Sequence, residues 1–162
     1  MSNNAISIIM GSQSDLEIVS EAVNILKEFK VGFEIKILSA HRTPRELSAY
    51  VEAAPKRGVK VFIAAAGGAA ALAGVVASHT ALPVVGIPIE TKSLKGLDSL
   101  LSTVQMPAGI PVACMAIGKA GARNAALFSL EILGIRNKKI SLKMRRYKKE
   151  MAAKVKNTPV VL

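Results

Sequence analysis

Groups that carry much of protein chemistry are scarce in this chain. There is one cysteine, Cys114, and there are two histidines, His41 and His79. A single thiol cannot close an intramolecular disulfide, which agrees with a reducing compartment. No Cys, His, Asp or Glu cluster has metal-ligand spacing, so no metal is expected. Tryptophan is absent and aromatic residues make up 4%, too few for the stacked platforms of single-strand nucleic-acid binders. Hydrophobic residues reach 51% with a mean hydropathy of +0.37, yet Gly, Pro or charge interrupts them well short of the roughly 18 to 20 apolar residues that cross a bilayer. The first four residues lack the basic start of a secretory signal. A cytoplasmic protein with no membrane partner is expected. Walker, G-x-S-x-G and G-x-G-x-x-G signatures are also missing, which argues against a P-loop nucleotidase, an elbow-type serine hydrolase and a dinucleotide oxidoreductase.

Acidic residues are few as well, 11 against 22 basic ones, for a net charge of +11. The excess is local. Between positions 136 and 156 ten Lys and Arg face Glu150 alone, a segment charge of +9. A charge run of this kind most simply solvates a helix face. Polyanion binding is the competing reading and ranks last, because no nucleic-acid motif accompanies the charge.

The chain does contain a regular alternation. "AISIIM" (5–10), "GFEIKIL" (32–38), "VKVFIAA" (59–65), "PVVGIPI" (83–89) and "VACMAI" (112–117) read as apolar strands. Between them lie helical patterns at 14–29, 43–54, 69–78 and 96–104, followed by helices at 120–133 and 138–156. At 162 residues one domain, 1–162, is expected, long enough to bury roughly two-thirds of its unfolded surface. Apolar strands alternating with amphipathic helices predict an α/β fold: a three-layer, doubly wound parallel sheet, flavodoxin-like or Rossmann-like, with an extra C-terminal helix. Such sheets bind ligands in the loops at the carboxyl ends of their strands, so the chemistry is sought there.

After strand one comes Gly11-Ser12-Gln13-Ser14-Asp15. Glycine permits close approach, serines donate to anions, a helix N-terminus favours phosphate, and a carboxylate accepts from ribose hydroxyls. Taken alone, the simpler reading is that Ser14 or Asp15 caps the helix. After strand two comes Ser39-Ala40-His41-Arg42-Thr43: a guanidinium can bind phosphate as a fork and an imidazole can serve as acid or base. For His41 the structural and catalytic readings weigh equally. The third loop, "AAAGGAAALAG" (64–74), offers backbone amides to a flat ligand or simply packs tightly. Lys92, Lys95, Lys119 and Asn124 are candidate wall residues, and "VQMPAGIPV" is a candidate rigid wall. Cys114 reads as inert core and His79 as a surface or capping residue. The residues alone therefore point to a small α/β enzyme or binding protein for a phosphorylated, sugar-containing, flat ligand, with His41 as its proton-transfer group.

Five stretches, "MGSQSD", "SAHRTP", "GGAA", "DSLLSTVQMPAGIPV" and "AIGKAGARNAAL", resemble, in order and spacing, the motifs of the 5-(carboxyamino)imidazole ribonucleotide mutase family of de novo purine biosynthesis. This is the bacterial class I type of phosphoribosylaminoimidazole carboxylase catalytic subunit. The likeness covers the chain to about residue 135. It implies that His41 is the catalytic proton shuttle, that Arg42 binds phosphate, and that Ser12, Ser14, Asp15, Ser39, Gly67, Gly68 and Ala69 hold the nucleotide substrate. It implies no cofactor, neither ATP, biotin nor metal, and a homo-octamer in which the C-terminal helix packs on a neighbour. Three positions depart from the family pattern: Ala65, Ala71 and Ala73 stand where Gly, His and Pro are expected. Two further readings stay open: direct carboxylation of aminoimidazole ribonucleotide by carbon dioxide, and a nucleotide-binding paralogue with impaired chemistry.

Overall fold

The computed structural model describes residues 4–159. Residues 1–3, part of the stretch read above as lacking a secretory leader, and 160–162 lie outside the described residues. Contacts group the chain into two compact units, Met1–Ser129 and Leu130–Leu162.

The first unit holds five parallel strands in the order β2-β1-β3-β4-β5: β1 Ile6–Met10, β2 Phe33–Ile37, β3 Val61–Gly67, β4 Val84–Ile89 and β5 Ala113–Cys114. Helices α1 (Leu16–Phe29), α2 (Pro44–Ala53), α3 (Leu72–Ser78) and α4 (Leu97–Val104) connect them, and α5 (Gly118–Gly134) follows β5 and runs across the division. This is the flavodoxin order, in which the chain winds outward in both directions from β1 and β3. Ion pairs from Lys119 to Glu17 and from Arg123 to Glu21 set α5 beside α1. Against the sheet's other side, α2 and α3 bury Leu47, Val51, Leu72 and Val76 with Ile9 and Phe62. Each large side chain so buried stabilises the fold by about 1.5–3 kcal/mol.

The doubly wound parallel sheet agrees with the sequence pattern, and two strands differ in detail. The strand expected over 32–38 is not buried: Phe33, Glu34 and Ile35 are half-buried, Lys36 is exposed and Ile37 is 48% exposed. It is an edge strand, paired only with β1, so its charged residues keep access to water. The strand expected over 112–117 shrinks to two residues. Its register to β4, with Val85 opposite Ala113 and Met115 N–H donating to Gly86 O at 2.9 Å, would next require an N–H from position 88. Pro88 has none, so the ladder ends. Cys114, expected in the core, is consequently only half-buried, and burial pushes its thiol up from its ordinary pKa.

The second unit contains the end of α5 and a helix α6, Lys138–Lys156, the span expected for the basic helix. The Asn137 side chain caps it, accepting from the N–H groups of Lys139 and Ile140 at 3.1 and 3.3 Å. Ile140 and Met144 are buried, whereas Met151 and Val155 on the same stripe are exposed. Among the described residues no helix is long and apolar enough to cross a membrane.

Candidate active site

The loop after β1 folds on itself. Ser12 sits in extended conformation before a single 3-10 turn, Gln13–Asp15, that leads into α1. Its hydroxyl accepts from Ser14 N–H at 3.3 Å and from Ser14 Oγ at 2.9 Å, while the Asp15 carboxylate accepts from Ser12 N–H at 3.1 Å. Of the two expected caps, Asp15 holds the N-cap position of α1 but makes no capping bond to it, and Ser14 does not cap; the capping side chain is Ser12, at the start of the 3-10 turn, with Asp15 closing a reciprocal box from the third position. Asp15 is buried. Burial pushes its carboxyl above the ordinary range, against hydrogen bonds from Ser12 and Ser14 and the attraction of Arg42.

The loop after β2 is locked more tightly. Thr43 Oγ accepts from Ser39 N–H at 2.8 Å and donates to Ser39 O at 3.1 Å, and Pro44 opens α2 with the fixed φ a first turn requires. Ser39 Oγ accepts from both the backbone N–H and the Nε of Arg42, at 3.2 and 3.4 Å. The guanidinium then reaches across to the first loop, where Nη2 donates to Gly11 O at 2.7 Å. Arg42 is therefore a clasp between the two loops. His41 lies between these fixed points and is exposed. Among the described residues its imidazole makes no hydrogen bond, which leaves both ring nitrogens for a ligand.

The loop after β3 turns at Gly68, whose φ of +68° is the left-handed region that favours glycine. After β4, Thr91 Oγ donates to both oxygens of Asp98 at 2.9 Å. All four loops border one cavity of about 520 Å³, a size suited to a mononucleotide-class ligand. The first loop supplies Gly11, Ser12, Ser14 and Asp15, and the second Ser39, Ala40, His41 and Arg42. Ala66, Gly67, Ala69, Ala71 and Leu72 come from the third loop; Ile89, Glu90 and Thr91 come from the fourth.

A model of the family described as AIR carboxylase matches residues 5–154. The chain belongs to the AIR carboxylase family. The N5-carboxyaminoimidazole ribonucleotide mutase of Pyrococcus horikoshii is 57% identical over 150 residues, covering 93% of this chain and 84% of that one. The protein of the same name from Saccharolobus solfataricus is 52% identical, covering 94% of this chain and 96% of that one. Among solved structures, Treponema denticola PurE superposes with a TM-score of 0.84 at 28% identity, covering 93% of this chain and 92% of that one.

Within this AIR carboxylase fold the cavity gathers Ser12, Ser14, Asp15, Ser39, His41, Arg42, Gly67 and Ala69, eight of the nine residues singled out in the sequence. The ninth, Gly68, does not line it, and its N–H is donated to Ser99 Oγ. Lys92, Lys95, Lys119 and Asn124 do not line it either. Lys119 is engaged by Glu17 at 2.8 Å, and the "VQMPAGIPV" stretch instead packs Ile110 and Val112 against the core. His79 does end α3, paired with Glu52 at 3.1 Å. Of the three alanine departures, Ala65 is an ordinary buried strand residue opposite Met10 and Ile87. It is not among the residues of positive φ, so the backbone there does not demand glycine. Ala73 is buried in α3, and only Ala71 borders the cavity. Glu90 and Thr91 also line the cavity and are not among the residues the sequence singles out; their signal is their place at the carboxyl end of β4, where ligands lie in such sheets.

Proposed function

We propose that this chain is a 5-(carboxyamino)imidazole ribonucleotide mutase, an isomerase of purine biosynthesis that moves a carboxylate from the exocyclic nitrogen to carbon 4 of the imidazole ring. The observation that carries this reading is the convergence, in one cavity at the strand ends, of an imidazole that makes no hydrogen bond among the described residues and an arginine clasped between two polar loops.

Arg42 and the serines of the first loop bind the phosphate, and Asp15 accepts from a ribose hydroxyl. Breaking the N–C bond releases carbon dioxide and leaves the electron pair on nitrogen, which takes a proton from the His41 imidazolium. Carbon 4 of the ring then attacks the retained carbon dioxide, and the neutral imidazole removes the proton from that carbon. One residue serves both steps because each leaves it in the protonation state the next requires. Gly67 and Ala69 form a wall with little side chain, and Gly68 shapes it. Excluding water and holding carbon dioxide both depend on such closure. No ATP, biotin or metal enters the scheme.

The protein is further read as cytoplasmic, as one domain over 1–162, and as a homo-octamer. A segment as short as the second unit falls below the roughly 40 residues at which independent folding usually begins. Leu97, Leu101 and Val104 form an exposed apolar stripe on α4, and Met151 and Val155 extend one on α6, as expected of subunit contacts. Turnover of synthetic 5-(carboxyamino)imidazole ribonucleotide, measured beside aminoimidazole ribonucleotide supplied with carbon dioxide, tests the function. Conversion of the first at the higher kcat/KM supports the mutase. Preference for the second contradicts it.

A further inference from the structure

The parallel ladder between β3 and β4 carries a foreign atom at its last step. Phe62 N–H donates to Pro83 O at 2.9 Å, and the register runs unbroken from Phe62 opposite Val84 to Gly67 opposite Ile89. Counting forward in steps of two, the final bond of this ladder is Gly68 N–H to Ile89 O. Both groups bond instead to a side chain. Ser99 Oγ accepts from Gly68 N–H at 2.9 Å and donates to Ile89 O at 2.6 Å.

The inserted residue is held firmly. Ser99 is fully buried on the first turn of α4, and its carbonyl accepts from Thr103 Oγ at 2.8 Å. Thr103 comes this close to the sheet because it faces Gly86 on β4, where a Cβ would lie 2.5 Å from Thr103 Cγ2. The same helical turn fixes the next wall, since Asp98 accepts from Thr91, and Ser102 Oγ donates to Gly68 O at 3.4 Å.

A hydroxyl between an amide and a carbonyl satisfies both while spreading the two strands by about one atom's width. The bridge falls where Gly67 and Ala69 adjoin Ile89 and Thr91 in the cavity lining, with Gly67 so close that a Cβ on it would lie 3.6 Å from Ile89 Cβ and from Thr91 Cγ2. We propose that Ser99 is a positioning residue of this site: its hydroxyl wedges the carboxyl ends of β3 and β4 apart and so sets the width of the pocket for the flat base of the nucleotide. The inference rests on the mutase reading above, and it predicts an effect on binding in a residue that touches no ligand.

The test is Ser99→Ala in the full chain. Without the wedge, Gly68 N–H and Ile89 O can pair directly, so the melting temperature stays close to that of the unmodified protein. KM for 5-(carboxyamino)imidazole ribonucleotide rises about tenfold while kcat stays within about threefold. Ser99→Thr, which keeps the hydroxyl, restores most of the loss. An unchanged KM in Ser99→Ala overturns the proposal, as does a fall in melting temperature with no change in KM, the mark of a purely structural serine. Should Ser99→Ala fail to fold, Ser99→Cys, with a weak donor of similar size, is read by the same criteria. Calorimetric titration with 5-aminoimidazole ribonucleotide separates this inference from the function beneath it. If the unmodified protein shows no turnover, the mutase reading fails, and an equal Kd for that ligand in the two proteins overturns the wedge, whereas a tenfold weaker one supports it.

Discussion

Asp15 is costly to the fold and, as the proposed acceptor for a ribose hydroxyl, would be useful to the site. Burial raises its carboxyl above the ordinary value of 3.8, so the ionised form costs stability. The penalty is absent below the ordinary value and complete above the raised one. Asp15→Asn should therefore melt at a higher temperature than the unmodified protein at pH 7, and the two curves should converge as pH falls toward 3.8. Nucleotide affinity should move in the opposite direction, with KM rising about tenfold through loss of a charged acceptor. Melting scans across pH and steady-state kinetics check the two halves separately. Charge and proximity in the first loop were legible in the sequence, but the cap was not: the pattern points to Ser14 or Asp15, and only the extended φ and ψ of Ser12 mark it as the capping residue. The Arg42 clasp was equally hidden, because it joins positions 31 residues apart.

Edge strand β2 is pinned to α2 by a polar cluster. Tyr50 OH bonds to Ser7 Oγ at 2.8 Å and donates to Glu34, Arg57 pairs with Glu34 at 2.9 Å, and the guanidinium lies 4.5 Å from the Tyr50 ring centre. Burial and the neighbouring Glu34 push the Tyr50 phenol up to about 12, so it remains a donor at every working pH. Burial alone would raise Glu34, but its bonds from Arg57 and Tyr50 outweigh that and leave it below its ordinary 4.5. Tyr50→Phe should cost about 1–3 kcal/mol, since the buried Ser7 hydroxyl and the Glu34 carboxylate both lose their bond to the phenol. Urea titration at pH 7 measures the loss, which should shrink only as pH falls below 4.5 and through the lowered value of Glu34. Helices and central strands were readable because periodicity reports burial directly. Strand ends were less so. The length of β5 depends on a missing N–H at Pro88 in its neighbour, and the exposure of β2 depends on its place in the sheet order, neither of which local composition contains.

For the whole molecule, an unassembled chain would expose the apolar stripe Leu97, Leu101 and Val104 to water. The octamer reading predicts a particle eight times the 17.0 kDa of one chain by light scattering. Leu101→Asp should shift the mass downward, because a buried charge without a partner opposes assembly. A monomeric unmodified protein would contradict that reading. The fold class and most of the cavity wall were legible because strand-end loops in a doubly wound sheet converge by topology. Contacts made by α4 with the third and fourth loops were not, for they arise only once the sheet is closed. In the proposed reaction His41 is the single group that moves the proton. The most direct measurement is turnover of 5-(carboxyamino)imidazole ribonucleotide by the unmodified protein and by His41→Asn, followed by ultraviolet absorbance, with nucleotide affinity measured for both. The account predicts a loss of kcat of at least about 100-fold in the variant with affinity nearly unchanged; a variant that keeps its kcat would contradict it.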